Sequence, residues 1–180
     1  DSTSLLGIAR GLRDEHRFES GRKITFAPRV LLGTAENPNV SPVEHRAVRL
    51  AKKIAAGAQF VQTQYCYDIP LLRRFMTAVE DAGLLEQVFI LIGVGPIRTA
   101  KAGEWMRTHV PGIHIPDSVI DRMKGAKDQT REGLNLCVDL IQEVRTIKGV
   151  SGVHVMAYRQ EEAVAEVIDR SGILAGRTPW

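Results

Sequence analysis

The run GAQFVQTQYCYD, residues 57–68, places two amide side chains, Gln62 and Gln64, two positions apart on an apolar stretch that ends at a turn. Strand alternation puts Phe60, Gln62, Gln64 and Cys66 on one face and Val61, Thr63, Tyr65 and Tyr67 on the other. An amide offers donors and an acceptor together, which suits a heterocycle edge carrying both amino and oxo groups: a pterin, a flavin or a nicotinamide. A buried amide satisfied by its neighbours leaves the same pattern. Position separates the two glutamines, because Gln64 stands at the C-terminal end of the strand, where barrel enzymes build their sites.

Upstream, EHRAVRLAKKIAAGA reads as an amphipathic helix. At 100° per residue Ala47, Leu50, Ala51 and Ile54 form its apolar stripe, and Arg46, Arg49 and Lys53 share a narrow arc on another face, bordered by Lys52. Cations at this spacing can converge on a phosphate, although a solvated helix face is spaced in the same way. Before it, GTAENPNVSP brings small residues, the polar side chain of Asn37 and a capping candidate, Ser41 or its neighbour. The later GVGPI either leaves room for a flat ring or makes a tight turn.

Other reactive residues read as structural. His154, in GVHVMA, has no Cys, Asp or Glu spaced to join it at a metal, and His109 and His114 are separated by proline and glycine. Cys66 and Cys137 lie far apart and outside any CxxC spacing, which points to reduced thiols and to no zinc site.

Positioning these residues requires alternating elements. Strands are expected at 29–33, 59–65, 88–94 and 152–157, and helices at 42–56, 70–82, 99–108, 129–147 and 161–171. The first helix covers 2–16, and an insertion at 110–127 opens a short extra helix at Pro116 and Asp117. Alternation of this kind means an α/β protein with a parallel sheet, either a small open sheet or half of an eight-stranded barrel. A chain that starts on a helix favours the half barrel, and residues 1–180 form one domain. The net charge of +3 suits an anionic ligand, but basic residues interleaved with acids and only 6% aromatics weigh against nucleic acid. No apolar run reaches the roughly 18 residues of a membrane span, and DSTSLL lacks the pattern of a signal peptide, so a cytoplasmic protein is expected.

RLAKKIAAGAQFVQTQYCYD, with GTAENP before it and ILIGVGPI and GVHVMA after it, resembles the methylenetetrahydrofolate reductases, in particular those of acetogenic and related anaerobic-type pathways. The resemblance implies a (β/α)8 TIM barrel carrying FAD, of which this chain would supply about the C-terminal four βα units. It also implies reduction of 5,10-methylenetetrahydrofolate to 5-methyltetrahydrofolate, with NAD(P)H or a reduced partner subunit as electron source. Gln64 matches the family's glutamine that contacts the pterin and, alternately, the nicotinamide, and Gln62 gains no such role. Arg46, Arg49, Lys52 and Lys53 match flavin-contacting positions, although the first two are not both basic in the better-known forms. Asn37 stands where those forms have a histidine. Arg159 corresponds, one position out of register, to a substrate-binding arginine. The family's later folate-holding glutamine and phenylalanine fall near Ala102 and Met106, with Trp105 as a substitute wall. The family's glutamate acid and pterin-binding aspartate belong to the first half of the barrel and have no counterpart here. The implied partners are a tetrahydrofolate substrate, the other barrel half or a partner chain, and an oligomer or a complex with an electron-donor subunit. A folate-binding accessory or methyl-transfer subunit without flavin is the alternative.

Overall fold

The computed structural model describes residues 1–158 and 160–176. Four strands, β1 (Gly33–Glu36), β2 (Phe60–Tyr65), β3 (Phe89–Val94) and β4 (Val150–Val155), form one parallel sheet in the order β1-β2-β3-β4. Helices α2 (Val43–Ala55) and α3 (Ile69–Asp81) follow the first two strands, and α4 (Ala100–His109), α5 (Asp117–Gly125) and α6 (Gln129–Val144) all follow β3. The chain opens on α1 (Ser2–Arg10) and closes its described part with α7 (Glu162–Ser171). Strand order that follows chain order, with every connection through a helix, is single winding. It is an arc of a barrel, and a doubly wound sheet would reverse its order in the middle. Among the described residues β1 and β4 each pair on one side only.

The helices cover one face of this arc. Val61, Ile90, Ile92 and Val94 point into them and are 0–1% exposed, packed with Leu72, Phe75, Met123 and Ile141. The other face, turned toward where a barrel axis would run, carries Gln62, Gln64 and Leu91, half-buried, and Phe89, which is 63% exposed. Local signals set the helix starts. Asp68 and Thr99 accept from the backbone N–H of Leu71 and Ala102, and Asp128 does the same for Arg131. Pro116 opens α5 as expected, whereas α2 begins after Pro42 with no side-chain cap, so Ser41 does not serve as one.

Several boundaries differ from the expected ones, among them the end of α6, at Val144 where 147 was expected. Strand β1 begins at Gly33, where residues 29–33 were expected, because the ladder starts only where Phe60 faces it, and Val30 and Leu31 are left exposed. Strand β4 begins two residues early, at Val150. Helix α1 stops at Arg10 and widens into a π-helical turn over Gly11–Glu15, ended by His16 in the left-handed region at φ 56°. Among the described residues no helix is long and apolar enough to cross a membrane.

Candidate functional site

A cleft of about 440 Å³ opens at the C-terminal ends of β1, β2 and β4. Its lining joins residues far apart in sequence: Ala35, Glu36 and Asn37 from the end of β1, Arg46, Arg49 and Lys53 from α2, Gln62, Thr63 and Gln64 from β2, and His154 from β4. The fold thus brings Gln64, Asn37 and three of the four helix cations to one place. Lys52 is exposed and does not line it, and Arg159 lies outside the described residues.

Glu36, which no sequence motif singled out, organises the cationic side. Its carboxylate is 2% exposed and accepts from Lys53 Nζ at 2.9 Å and from the Asn37 backbone N–H at 3.0 Å. Lys53 also donates to the Ala35 carbonyl at 2.5 Å. The expectation of Lys53 on an open arc is therefore corrected: at 6% exposure it reaches inward beneath α2, and its charge is matched before any ligand arrives. The physical reason is stem length, since four methylenes carry the ammonium past the apolar stripe to a carboxylate at the strand end. Arg46 is half-buried, donates from Nε to the Val40 carbonyl at 3.3 Å, and brings Nη1 to 3.9 Å from Glu36. Arg49 is exposed on the rim and has no ion-pair partner among the described residues.

Asn37 is engaged too. Its Nδ2 donates to the Gly112 carbonyl at 2.9 Å and its Oδ1 accepts from the Asn39 N–H, while Asn39 Nδ2 donates to the Tyr65 and Gly112 carbonyls. The pair of asparagines ties the loop after β1 to the insertion and to the end of β2. This leaves Asn37 as a brace of the cleft's edge.

Strict alternation along β2 fails at its end. A register shift between Gln62 and Tyr65 turns Cys66 to the buried side, where its Sγ lies 3.5 Å from Thr63 Oγ1. Gln64 stays on the inward face, and its Oε1 accepts from its neighbour's N–H, Tyr65, at 2.9 Å. Its NH2 group has no partner among the described residues and remains available to a ligand. Burial pushes the Cys66 thiol up to about 12 and holds the Tyr65 and Tyr67 hydroxyls above their usual range, so none of the three is a base near neutral pH. Tyr65 and Tyr67 instead stack at 5.6 Å and donate to the Met156 and Gly95 carbonyls, pinning the loops beyond β3 and β4.

The glycines of GVGPI serve close packing rather than an opening for a ring. A Cβ on Gly95 would stand 2.0 Å from the Met156 carbonyl oxygen, and one on Gly93 2.4 Å from that of Thr63. Trp105, with Ala102 and Met106 on α4, does not line the cleft. Its indole is 56% exposed and stacks on His109 at 5.0 Å.

A family model described as methylenetetrahydrofolate reductase matches residues 23–172, all four strands and the cleft included. The chain belongs to the methylenetetrahydrofolate reductase family. It is 28% identical over 163 residues to methylenetetrahydrofolate reductase 2 of Saccharomyces cerevisiae, covering 84% of this chain and 26% of that protein. Methylenetetrahydrofolate reductase 2 of Schizosaccharomyces pombe is 28% identical over 136 residues, 71% of this chain and 21% of that one. The chain thus spans about a quarter of the length of the curated relatives it matches. Among solved structures, an uncharacterized protein from Clostridium thermocellum that binds two copies of 5-methyl-5,6,7,8-tetrahydrofolic acid shares the fold. The TM-score is 0.61 at 18% identity, over 82% of this chain and 54% of that one.

Proposed function

We propose that this chain is the C-terminal half of a methylenetetrahydrofolate reductase barrel, and that its cleft takes part in reducing 5,10-methylenetetrahydrofolate to 5-methyltetrahydrofolate. The observation that carries this reading is the free NH2 of Gln64 in a cleft rimmed by cations, at the strand ends of a family member. The Clostridium thermocellum neighbour's 5-methyltetrahydrofolate supports a folate ligand.

An FAD diphosphate would meet fewer available cations on the rim than the helix spacing suggested. Arg49 would hold it, Arg46 would add a second cation beside its contacts with Val40 and Glu36, and Lys53 would support the wall through Glu36. When bound, the flavin would supply hydride to the methylene carbon. This chain's residues would orient the substrate: Gln64 donates to an oxo group on the pterin edge, and the Tyr65 and Tyr67 braces keep that donor at a fixed height. The acid that protonates the substrate would come from the other barrel half, and the electrons from NAD(P)H or a reduced partner subunit.

The neutralised Lys53 favours a second reading, a folate-binding accessory or methyl-transfer subunit without flavin. Absorbance of the purified full-length protein separates the two. A band near about 450 nm that follows the protein supports the reductase, and a colourless protein that still binds 5-methyltetrahydrofolate supports the binding subunit.

A further inference from the structure

Among the described residues one buried side-chain nitrogen or oxygen has no hydrogen-bond partner: Nδ1 of His154. Its ring stands on β4 in register with Gly93 of β3, and it lines the same cleft as Gln62 and Gln64 of β2. The intervening strand supplies Gly93 at this level, with Met156 Cε lying over it, while Leu91 of β3 stands beside Gln62. Gln62 likewise has no partner among the described residues. Folded proteins rarely shut a polar atom away from water with nothing to bond it, and each such atom calls for an explanation.

We infer that His154 is a ligand-contacting residue, reading the polar edge of a flat heterocycle together with Gln64; this rests on the folate reading above. The two side chains are complementary. The Gln64 oxygen is already taken by the Tyr65 N–H, which leaves that residue a donor toward the ligand. A neutral imidazole carries one N–H and one bare nitrogen, so His154 can accept where Gln64 donates. Together they match neighbouring oxo and amino groups, the arrangement along one side of a pterin. The sequence pattern made this histidine a core residue because a lone strand histidine usually is one. The unbonded nitrogen overrides that default.

The test uses the full-length protein and 5-methyltetrahydrofolate as probe, with binding and thermal unfolding measured on the same samples. His154→Leu should weaken binding about five- to 150-fold, the effect of one lost hydrogen bond. Its unfolding midpoint should hold or rise, because an unbonded polar atom has been removed. His154→Asn, which returns an amide near the Nδ1 position, should recover most of the affinity. His154→Phe keeps a flat ring without nitrogen, and gives the same comparison should the leucine variant fail to fold. A lower midpoint with unchanged affinity in either apolar variant makes the ring a brace for the rest of the barrel and overturns the inference. Unchanged affinity here, alongside a loss in Gln64→Leu, overturns this inference and leaves the functional reading standing. A wild-type protein that does not bind the probe overturns both.

Discussion

The two faces of the sheet do different work with the same four strands. Toward the helices, Val61, Ile90, Ile92 and Val94 are packed to 0–1% exposure and contribute most of the sheet's burial. Toward the barrel axis, Gln62, Gln64, Leu91 and His154 are half-buried and mostly polar. Apolar burial is concentrated on one face and the polar cleft on the other, and a substitution should show which face it lies on. Glu36 and Lys53 are the exception, because their ion pair is buried yet borders the cleft.

That exception gives the largest expected effect. Glu36→Ala leaves the Lys53 ammonium buried and unmatched, and should lower unfolding free energy by about 3 to 5 kcal/mol in denaturant titrations. The double variant Glu36→Leu with Lys53→Met should return close to the parent, since an apolar pair of similar volume often replaces a buried ion pair without loss. A single variant as stable as the parent would mean that the pair is open to water. On the helix-facing side, Ile92→Ala should cost about 2 to 5 kcal/mol and leave affinity for bound folate unchanged in the fraction that folds.

On the inward face, Gln64→Leu should lower 5-methyltetrahydrofolate affinity by about 1 to 3 kcal/mol with little change in the unfolding midpoint. Equal affinity, measured by titration calorimetry, would remove Gln64 from the site and blur the contrast between faces. Arg49→Ala on the exposed rim should move stability by no more than about 0.5 kcal/mol while reducing flavin retention, most visibly at low salt. Flavin content equal to the parent would make Arg49 a solvated surface charge.

The smallest effect near neutral pH comes from the thiols. Burial raises Cys66 and Cys137 from an ordinary 9.0 to about 12, so folding favours their neutral forms. Their contribution is fully present below about pH 9 and is lost as pH rises from there through about 12. Denaturant midpoints should be level with respect to these groups up to pH 9 and fall above it; a profile that stays level to pH 11 would show the thiols exposed.

Much of this was legible in the sequence because it depends on local period and chain order. The apolar run at 88–94 announced the strand β3, the proline and aspartate at 116–117 announced α5, and helix–strand alternation announced a parallel sheet. Gln64 could be placed at a strand end for the same reason. Chain order left a small open sheet or half a barrel, the start on a helix favoured the half barrel, and the β1-β2-β3-β4 pairing is that of a barrel arc.

What only tertiary structure decided involves partners distant in sequence. Strand β1 could not be bounded by its own apolar residues, since pairing with Phe60 sets where its ladder begins. Helix angles put Lys53 beside Arg49, but a carboxylate seventeen positions upstream pulls its ammonium inward, and no periodicity encodes the reach of a flexible stem. Asn37 looked free until Gly112 arrived from across 75 positions to take its amide hydrogen. The nitrogen of His154 is seen to lack a partner only once the described residues around it are packed, because satisfaction of a polar atom is a property of the packed surroundings, which local sequence does not contain.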